Sequence, residues 1–186
     1  MKHLKSFLNF ASIFQLSFLM ACAQPNKQQK KQTESNIKSN LLSIPKNLYY
    51  STTDTSKLNL EDSVWKRILP PDVYDVMRHG DTERPFTGKY WDTDDKGTYY
   101  CAACGNKLFR AEAKFSSSCG WPSFFEQDNK QAVIYKQDNS FGMQRIEAIC
   151  GRCGGHLGHL FDDGPPPTGK RYCMNSIALD FVPDNK

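Results

Sequence analysis

The chain has 186 residues, of which 39% are hydrophobic, 24 are basic and 20 are acidic, enough for one domain with a proper core. The formal charge of +4 sits outside that domain: residues 1–21 hold two lysines and residues 22–40 hold four lysines and one glutamate, leaving 18 basic and 19 acidic groups in residues 41–186. A net of −1 there argues against a nucleic-acid-binding role.

Lys2 and Lys5 form a short basic region, and residues 6–21 are free of charge and rich in Phe, Leu, Ile and Ala. The run is short and, at Asn9 and Gln15, too polar for a spanning helix. It reads as a signal-peptide core. It ends in Leu19-Met20-Ala21-Cys22, which resembles the lipobox of bacterial lipoproteins. The resemblance implies removal of residues 1–21, lipidation of Cys22, and a membrane-anchored protein exported to a bacterial cell envelope. The alternative is an ordinary secretory signal, or an uncleaved anchor, with an incidental Cys22. Residues 22–58 are expected to form a flexible tether ahead of a folded domain at 59–186. Within that tether, residues 23–40 are rich in Gln, Lys, Asn and Ser, with no apolar period. As a coil they would span on the order of 20–25 Å.

Residues 61–69 place Val64, Trp65, Ile68 and Leu69 at helical spacing. Pro70 and Pro71 end that helix, and Pro71 can open the next, at about 72–78, which buries Val73, Val76 and Met77 before the stop signal at Gly80. Short apolar or aromatic runs then alternate with Gly, Pro, Asp and Asn. Strands are predicted at 98–101, 107–110, 132–136, 141–149, 158–161, 171–174 and 176–182. No long helical pattern interleaves them, so antiparallel sheets are expected. The fold class is mainly β, with short helices at the N-terminal end of the domain.

Four of the seven cysteines form two knuckles, Cys101-Ala-Ala-Cys104-Gly and Cys150-Gly-Arg-Cys153-Gly. The two-residue spacing lets both thiolates of a pair reach one tetrahedral metal, and the following glycine permits the tight turn. A redox Cys-x-x-Cys normally opens a helix, and neither pair here begins a helical pattern. Two structural disulfides are the third reading, suited to an oxidising compartment. A structural zinc ion bound by all four cysteines is expected, with no organic cofactor. It would join chain segments about 45 residues apart.

Cys119 and Cys173 remain. Cys173 follows Arg171 at an alternate strand position, so the two side chains share a face and the guanidinium favours the thiolate. Asn175 is expected on the same face as a hydrogen-bond donor. His156, His159 and Asp163 are titratable groups suited to moving protons near neutral pH. Trp121 offers a flat apolar wall. A wall for a methyl group, proton donors for an oxygen and a thiolate between them suit attack on a sulfoxide. Each residue alone has a plainer reading: a strand cysteine is ordinarily a small core residue, a Gly-Trp-Pro corner ordinarily an anchor, and the histidines could be core, turn or zinc-binding residues. Their joint occurrence carries the reading.

From Trp65 to Val182 the chain resembles methionine sulfoxide reductase B (MsrB). The residues that carry the likeness are Thr82-Glu83-Arg84-Pro85-Phe86-Thr87-Gly88, both knuckles, Cys119-Gly120-Trp121-Pro122-Ser123-Phe124, Gly142-Met143-Gln144-Arg145, His156-Leu157-Gly158-His159, Asp163-Gly164-Pro165 and Arg171-Tyr172-Cys173-Met174-Asn175-Ser176. The resemblance implies two small antiparallel sheets (a β-tent), with zinc opposite the active face. It implies Cys173 as nucleophile on methionine-R-sulfoxide in oxidised proteins, passing through a sulfenic acid, and Cys119 as the resolving cysteine. A thioredoxin-like donor would then reduce the Cys119–Cys173 disulfide. Trp121 would bind the substrate methyl group, while His156, His159, Asp163, Arg171 and Asn175 would position substrate and protons. A monomer is the default. Ser116 and Ser118 depart from the family pattern beside Cys119 and bear on the recycling step. Two rival classes are a non-enzymatic zinc-knuckle binding module and a general disulfide oxidoreductase.

Overall fold

The computed structural model describes residues 46–184. The leader, Cys22 and the spacer at 23–40 lie outside the described residues. Helix α1 (Asp62–Ile68) forms where expected and buries Trp65. Helix α2 (Pro71–His79) starts on Pro71, buries Tyr74, Val76 and Met77, and ends at Gly80 in a left-handed conformation. It packs against strand β7 (His156–Phe161) and the 310 turn Ser176–Ala178.

Two antiparallel sheets follow. The smaller has the order β2 (Lys107–Arg110), β1 (Gly97–Cys101), β9 (Leu179–Pro183). The larger has the order β3 (Lys114–Phe115), β4 (Ser123–Phe124), β8 (Arg171–Met174), β7, β6 (Arg145–Cys150), β5 (Val133–Asp138). Aromatic side chains weld the sheets together. Phe109 of β2 stacks on Phe124 of β4 at 4.3 Å between ring centroids, and Tyr99 of β1 meets Phe124 edge-on at 5.0 Å. Leu108, Leu157, Met174 and Leu179 complete this fully buried layer.

Several boundaries differ from the sequence reading. The strand expected over 141–149 begins only at Arg145, because Phe141 and Gly142 turn left-handed inside a 310 turn at Ser140–Gly142. The strand expected over 176–182 begins at Leu179, the preceding residues forming another 310 turn. Strands β3 and β4 were not expected; at two residues each, they are too short to show an alternation.

The expected tether also stops short of residue 58. Residues 47–58 are strapped onto the knuckles by Arg152, which is 4% exposed. Its guanidinium donates to the carbonyls of Ser56 (3.1 Å), Tyr49 (3.0 Å) and Cys104 and pairs with Asp54 at 2.8 Å. Ser51 N–H donates to the Cys104 carbonyl at 3.0 Å, and Leu58 N–H to the Arg152 carbonyl at 2.9 Å. A polar composition marked this stretch as spacer, but a buried arginine with four partners orders it.

Candidate active site and four-cysteine centre

The knuckles close the β1–β2 and β6–β7 hairpins, one from each sheet. Gly105 (φ 76°) and Gly154 (φ 68°) make the left-handed turns behind Cys104 and Cys153. All four sulfurs lie within 4.8 Å of one another, with Cys101–Cys153 at 3.7 Å and Cys104–Cys150 at 3.6 Å. Thiolates about 2.3 Å from one tetrahedral centre would stand about 3.8 Å apart, so the spacing suits a metal better than a disulfide. The side-chain amide of Asn106 donates to the Ala132 carbonyl at 3.1 Å and to Cys150 Sγ at 3.5 Å, which steadies one thiolate from outside. Four filled positions leave none for substrate.

Cys119 and Cys173 form a different kind of pair. Both are partly exposed, and their sulfurs are 3.4 Å apart. Strand β4, placed at the edge of β8 with Ser123 opposite Cys173, brings the Cys119 loop to Cys173. Closing the disulfide requires the sulfurs to approach by only roughly 1 Å. Behind Cys173 the chains touch: a Cβ on Gly158 would lie 2.1 Å from the Cys173 carbonyl oxygen, so only glycine lets β7 pass there.

The register lines up the rest. Ser123 faces Cys173, Cys173 faces His159, His159 faces Glu147, and Glu147 faces Lys136. Directly paired residues project to the same side, so one row of polar side chains crosses five strands. His156 joins this row from β7, its ring centroid 5.4 Å from that of His159. Each histidine has its own carboxylate: His156 Nδ1 lies 2.7 Å from Glu147 Oε1, and His159 Nε2 lies 2.8 Å from Asp138 Oδ2. Burial lowers the His156 pKa despite Glu147, which favours the neutral ring, and its Nε2 is buried without a partner.

Arg171 stands two residues from Cys173 on the same face. Its guanidinium is committed to Asp163 through bonds of 2.8 and 2.9 Å and lies 4.3 Å over the Phe161 ring. That fork holds the Asp163 carboxyl below the usual carboxylate range, so Asp163 orients Arg171 rather than donating protons. Asn175 departs from the expectation. It lies beyond the end of β8, 3% exposed, accepting from Glu83 N–H at 3.1 Å and donating to the Leu157 carbonyl at 3.2 Å. Through these bonds it fixes backbone around the site. Trp121 is half-buried and donates its indole N–H to the Glu83 carbonyl at 3.1 Å.

The thiols titrate as a pair. Burial acts against ionisation of Cys119, but the Ser117 and Ser123 hydroxyls and the Trp121 backbone outweigh it and bring its pKa down to about 7. Burial and the adjacent Cys119 charge push Cys173 up to about 12, against the pull of Arg171. At 3.4 Å two sulfurs do not both ionise, and in this resting geometry the first charge falls on Cys119. Arg171 was expected to favour the thiolate on Cys173; the Ser117 and Ser123 hydroxyls around Cys119 were not foreseen. Glu83, Glu147, Asp138, Ser117 and Ser123 are the site residues missed by sequence reasoning. Glu147 gave a usable signal: it alternates with Arg145 on a predicted strand, on the face opposite Ile146 and Ala148.

Two sulfurs poised to bond, beside paired histidines and an oriented guanidinium, define a dithiol oxidoreductase. Residues 69–183 match the SelR domain family. The chain is 49% identical over 133 residues to the peptide methionine sulfoxide reductase MsrB of Agrobacterium fabrum, spanning 72% of this chain and 98% of that protein. It is 55% identical over 122 residues to the MsrB of Thiobacillus denitrificans (66% and 92%) and 53% identical over 117 residues to that of Methanosarcina barkeri (63% and 82%). The chain belongs to the methionine sulfoxide reductase B family.

Proposed function

We propose that this chain is a peptide-methionine (R)-S-oxide reductase working through Cys173 and Cys119. The observation that carries the reading is the 3.4 Å sulfur pair set in the His159–Glu147 row of a family member. Cys173 Sγ attacks the sulfoxide sulfur and the S–O bond passes to Cys173. The products are methionine and a Cys173 sulfenic acid, the sulfur of the substrate being reduced by two electrons and Cys173 oxidised by two. Cys119 then attacks the sulfenic sulfur, forming the Cys119–Cys173 disulfide and releasing water. A dithiol donor of the thioredoxin type returns both cysteines to thiols.

Arg171 acts on Cys173 against burial and the neighbouring Cys119, and so favours the thiolate that attacks as substrate arrives. His159 and His156, oriented by Asp138 and Glu147, are placed to serve the oxygen as charge develops. Trp121, fixed through Glu83, is the wall for the substrate methyl group. The four-cysteine centre suits zinc in a structural role: the donor set is all sulfur, buried and complete.

The reading extends to the envelope. The charge-free run at 6–21 and Leu19-Met20-Ala21-Cys22 support a lipid anchor on Cys22, ahead of the residues matched by the family. Cys22→Ser would then move the protein from the detergent phase to the aqueous phase on Triton X-114 partitioning; continued membrane retention would sink the anchor. For the reaction itself, dithiothreitol-driven turnover of pure R and S methionine sulfoxide in a peptide is the test. Turnover of R alone is expected, and turnover of S, or of neither, would contradict it.

A further inference from the structure

Beyond His159 the sheet face opens into a cleft of about 580 Å³, within the ~300–1,000 Å³ range of ligand sites. Its floor is His156 and His159, one wall is the C-terminal end of α2, and the other is the turn between β5 and β6. The charges around it are matched. Arg145 pairs with Asp138 at 2.6 Å, Arg78 with Asp62 at 3.1 Å, and Lys136 lies 3.8 Å from Glu147. No field of one sign is left to select a strongly charged ligand.

Phe141 stands on the rim, 92% exposed. Its φ of 53° is left-handed, an outlier for a bulky side chain. The turn is bolted down by the residue that orients the active-site histidine. Asp138 accepts from Ser140 N–H at 2.9 Å, from Arg145 at 2.6 Å, and bonds His159 Nε2 at 2.8 Å. Folding alone gives no reason to hold an aromatic ring in strained backbone and in water; such strain gathers where a ligand is met.

We infer that Phe141 and the cleft beneath it are a subsite for the polypeptide flanking the oxidised methionine. The inference rests on the sulfoxide reductase reading and names the part of the substrate held beyond the sulfoxide. Continuity with the thiol site favours this occupant: the cleft is the same sheet face carried past His159. Two strand spacings separate β8 from β6, about 9–10 Å. A free amino acid held by its sulfoxide at Cys173 does not span that gap. An extended chain rising ~3.3 Å per residue crosses to β6 about three residues from the methionine and meets the turn, which lies beyond Arg145, a few residues further on. There the Phe141 ring, with Met77 and Ile149 on the walls, meets an apolar side chain.

The test compares kcat/KM for R-sulfoxide in a heptapeptide with kcat/KM for free methionine-R-sulfoxide, using the full chain in detergent and dithiothreitol as donor. Phe141→Gly keeps the left-handed turn without strain while removing the ring. The peptide-to-free ratio is expected to fall about tenfold in this variant, the size of effect typical of a truncated aromatic anchor, and to recover in Phe141→Trp. An unchanged ratio overturns the subsite while leaving the reductase intact. A ratio unchanged with dithiothreitol, but turnover lost in Phe141→Gly when the assay is repeated with thioredoxin as donor, overturns it in favour of a docking surface for the reductant. Absence of turnover of either substrate by the unaltered chain overturns the reductase reading and the subsite with it.

Discussion

Six cysteines occupy the described domain in two groups, and the groups teach different chemistry from one residue type. At the knuckles four sulfurs are 0–6% exposed, anchored in two hairpin turns, and shared around one centre. On the other group's face two sulfurs are partly exposed and touch each other, one on strand β8 and one on a loop held by the two-residue strand β4. Burial and count set the first group for a metal; exposure, a single partner and neighbouring hydroxyls set the second for redox work. The fold keeps the groups apart by tying the knuckles to hairpin ends and the dithiol to the middle of the large sheet.

The comparison breaks most sharply under single substitutions. Cys173→Ser is expected to lower turnover by on the order of 10⁴-fold or more while leaving the folded state intact by circular dichroism. Cys150→Ser, or removal of the metal by a strong chelator, is expected to do the reverse and unfold the domain, since structural zinc contributes ~10–16 kcal/mol in small metal-dependent domains. A stable, active, metal-free protein would show that the knuckles do not need their centre. Cys119→Ser is expected to retain dithiothreitol-driven turnover within a few-fold and to lose thioredoxin-driven turnover, measured as NADPH oxidation in a coupled assay.

Two smaller effects sharpen the contrast. The Cys119 thiol, brought down to about 7, is protonated below that pH and reactive above it. Iodoacetamide labelling of Cys119, followed by mass spectrometry, should therefore rise through about pH 7, with Cys173, pushed up to about 12, labelled far more slowly. Equal labelling of both would place the resting charge differently. Arg152→Met, which removes the strap's central donor, is expected to cost about 2–4 kcal/mol in urea unfolding and to open residues 47–58 to proteolysis, with the dithiol chemistry unchanged.

Among the described residues, both helices and seven of the nine strands were legible because each carries a period or a stop: Trp65 and Ile68 for α1, Pro71 and Gly80 for α2, alternating residues for β8. The knuckles were legible from spacing alone. The geometry of the thiol site was not. Cys119 meets Cys173 through a two-residue strand whose pairing is long-range, and Ser117 and Ser123 act on Cys119 only once that loop is folded. Asn175 looked like a strand residue pointing with Cys173, yet the chain leaves β8 one residue earlier. The strap at 47–58 was hidden for the same reason: its partner, Arg152, lies about a hundred residues away.

The division of labour between the two cysteine groups is tested most directly by a single turnover without donor. The full chain, reduced and zinc-loaded, is mixed with excess peptide methionine-R-sulfoxide, and its disulfides are mapped by mass spectrometry against the methionine formed. One Cys119–Cys173 disulfide per methionine, with the zinc content unchanged, is the predicted result. A disulfide within or between the knuckles, or methionine formed without the Cys119–Cys173 bond, would contradict it.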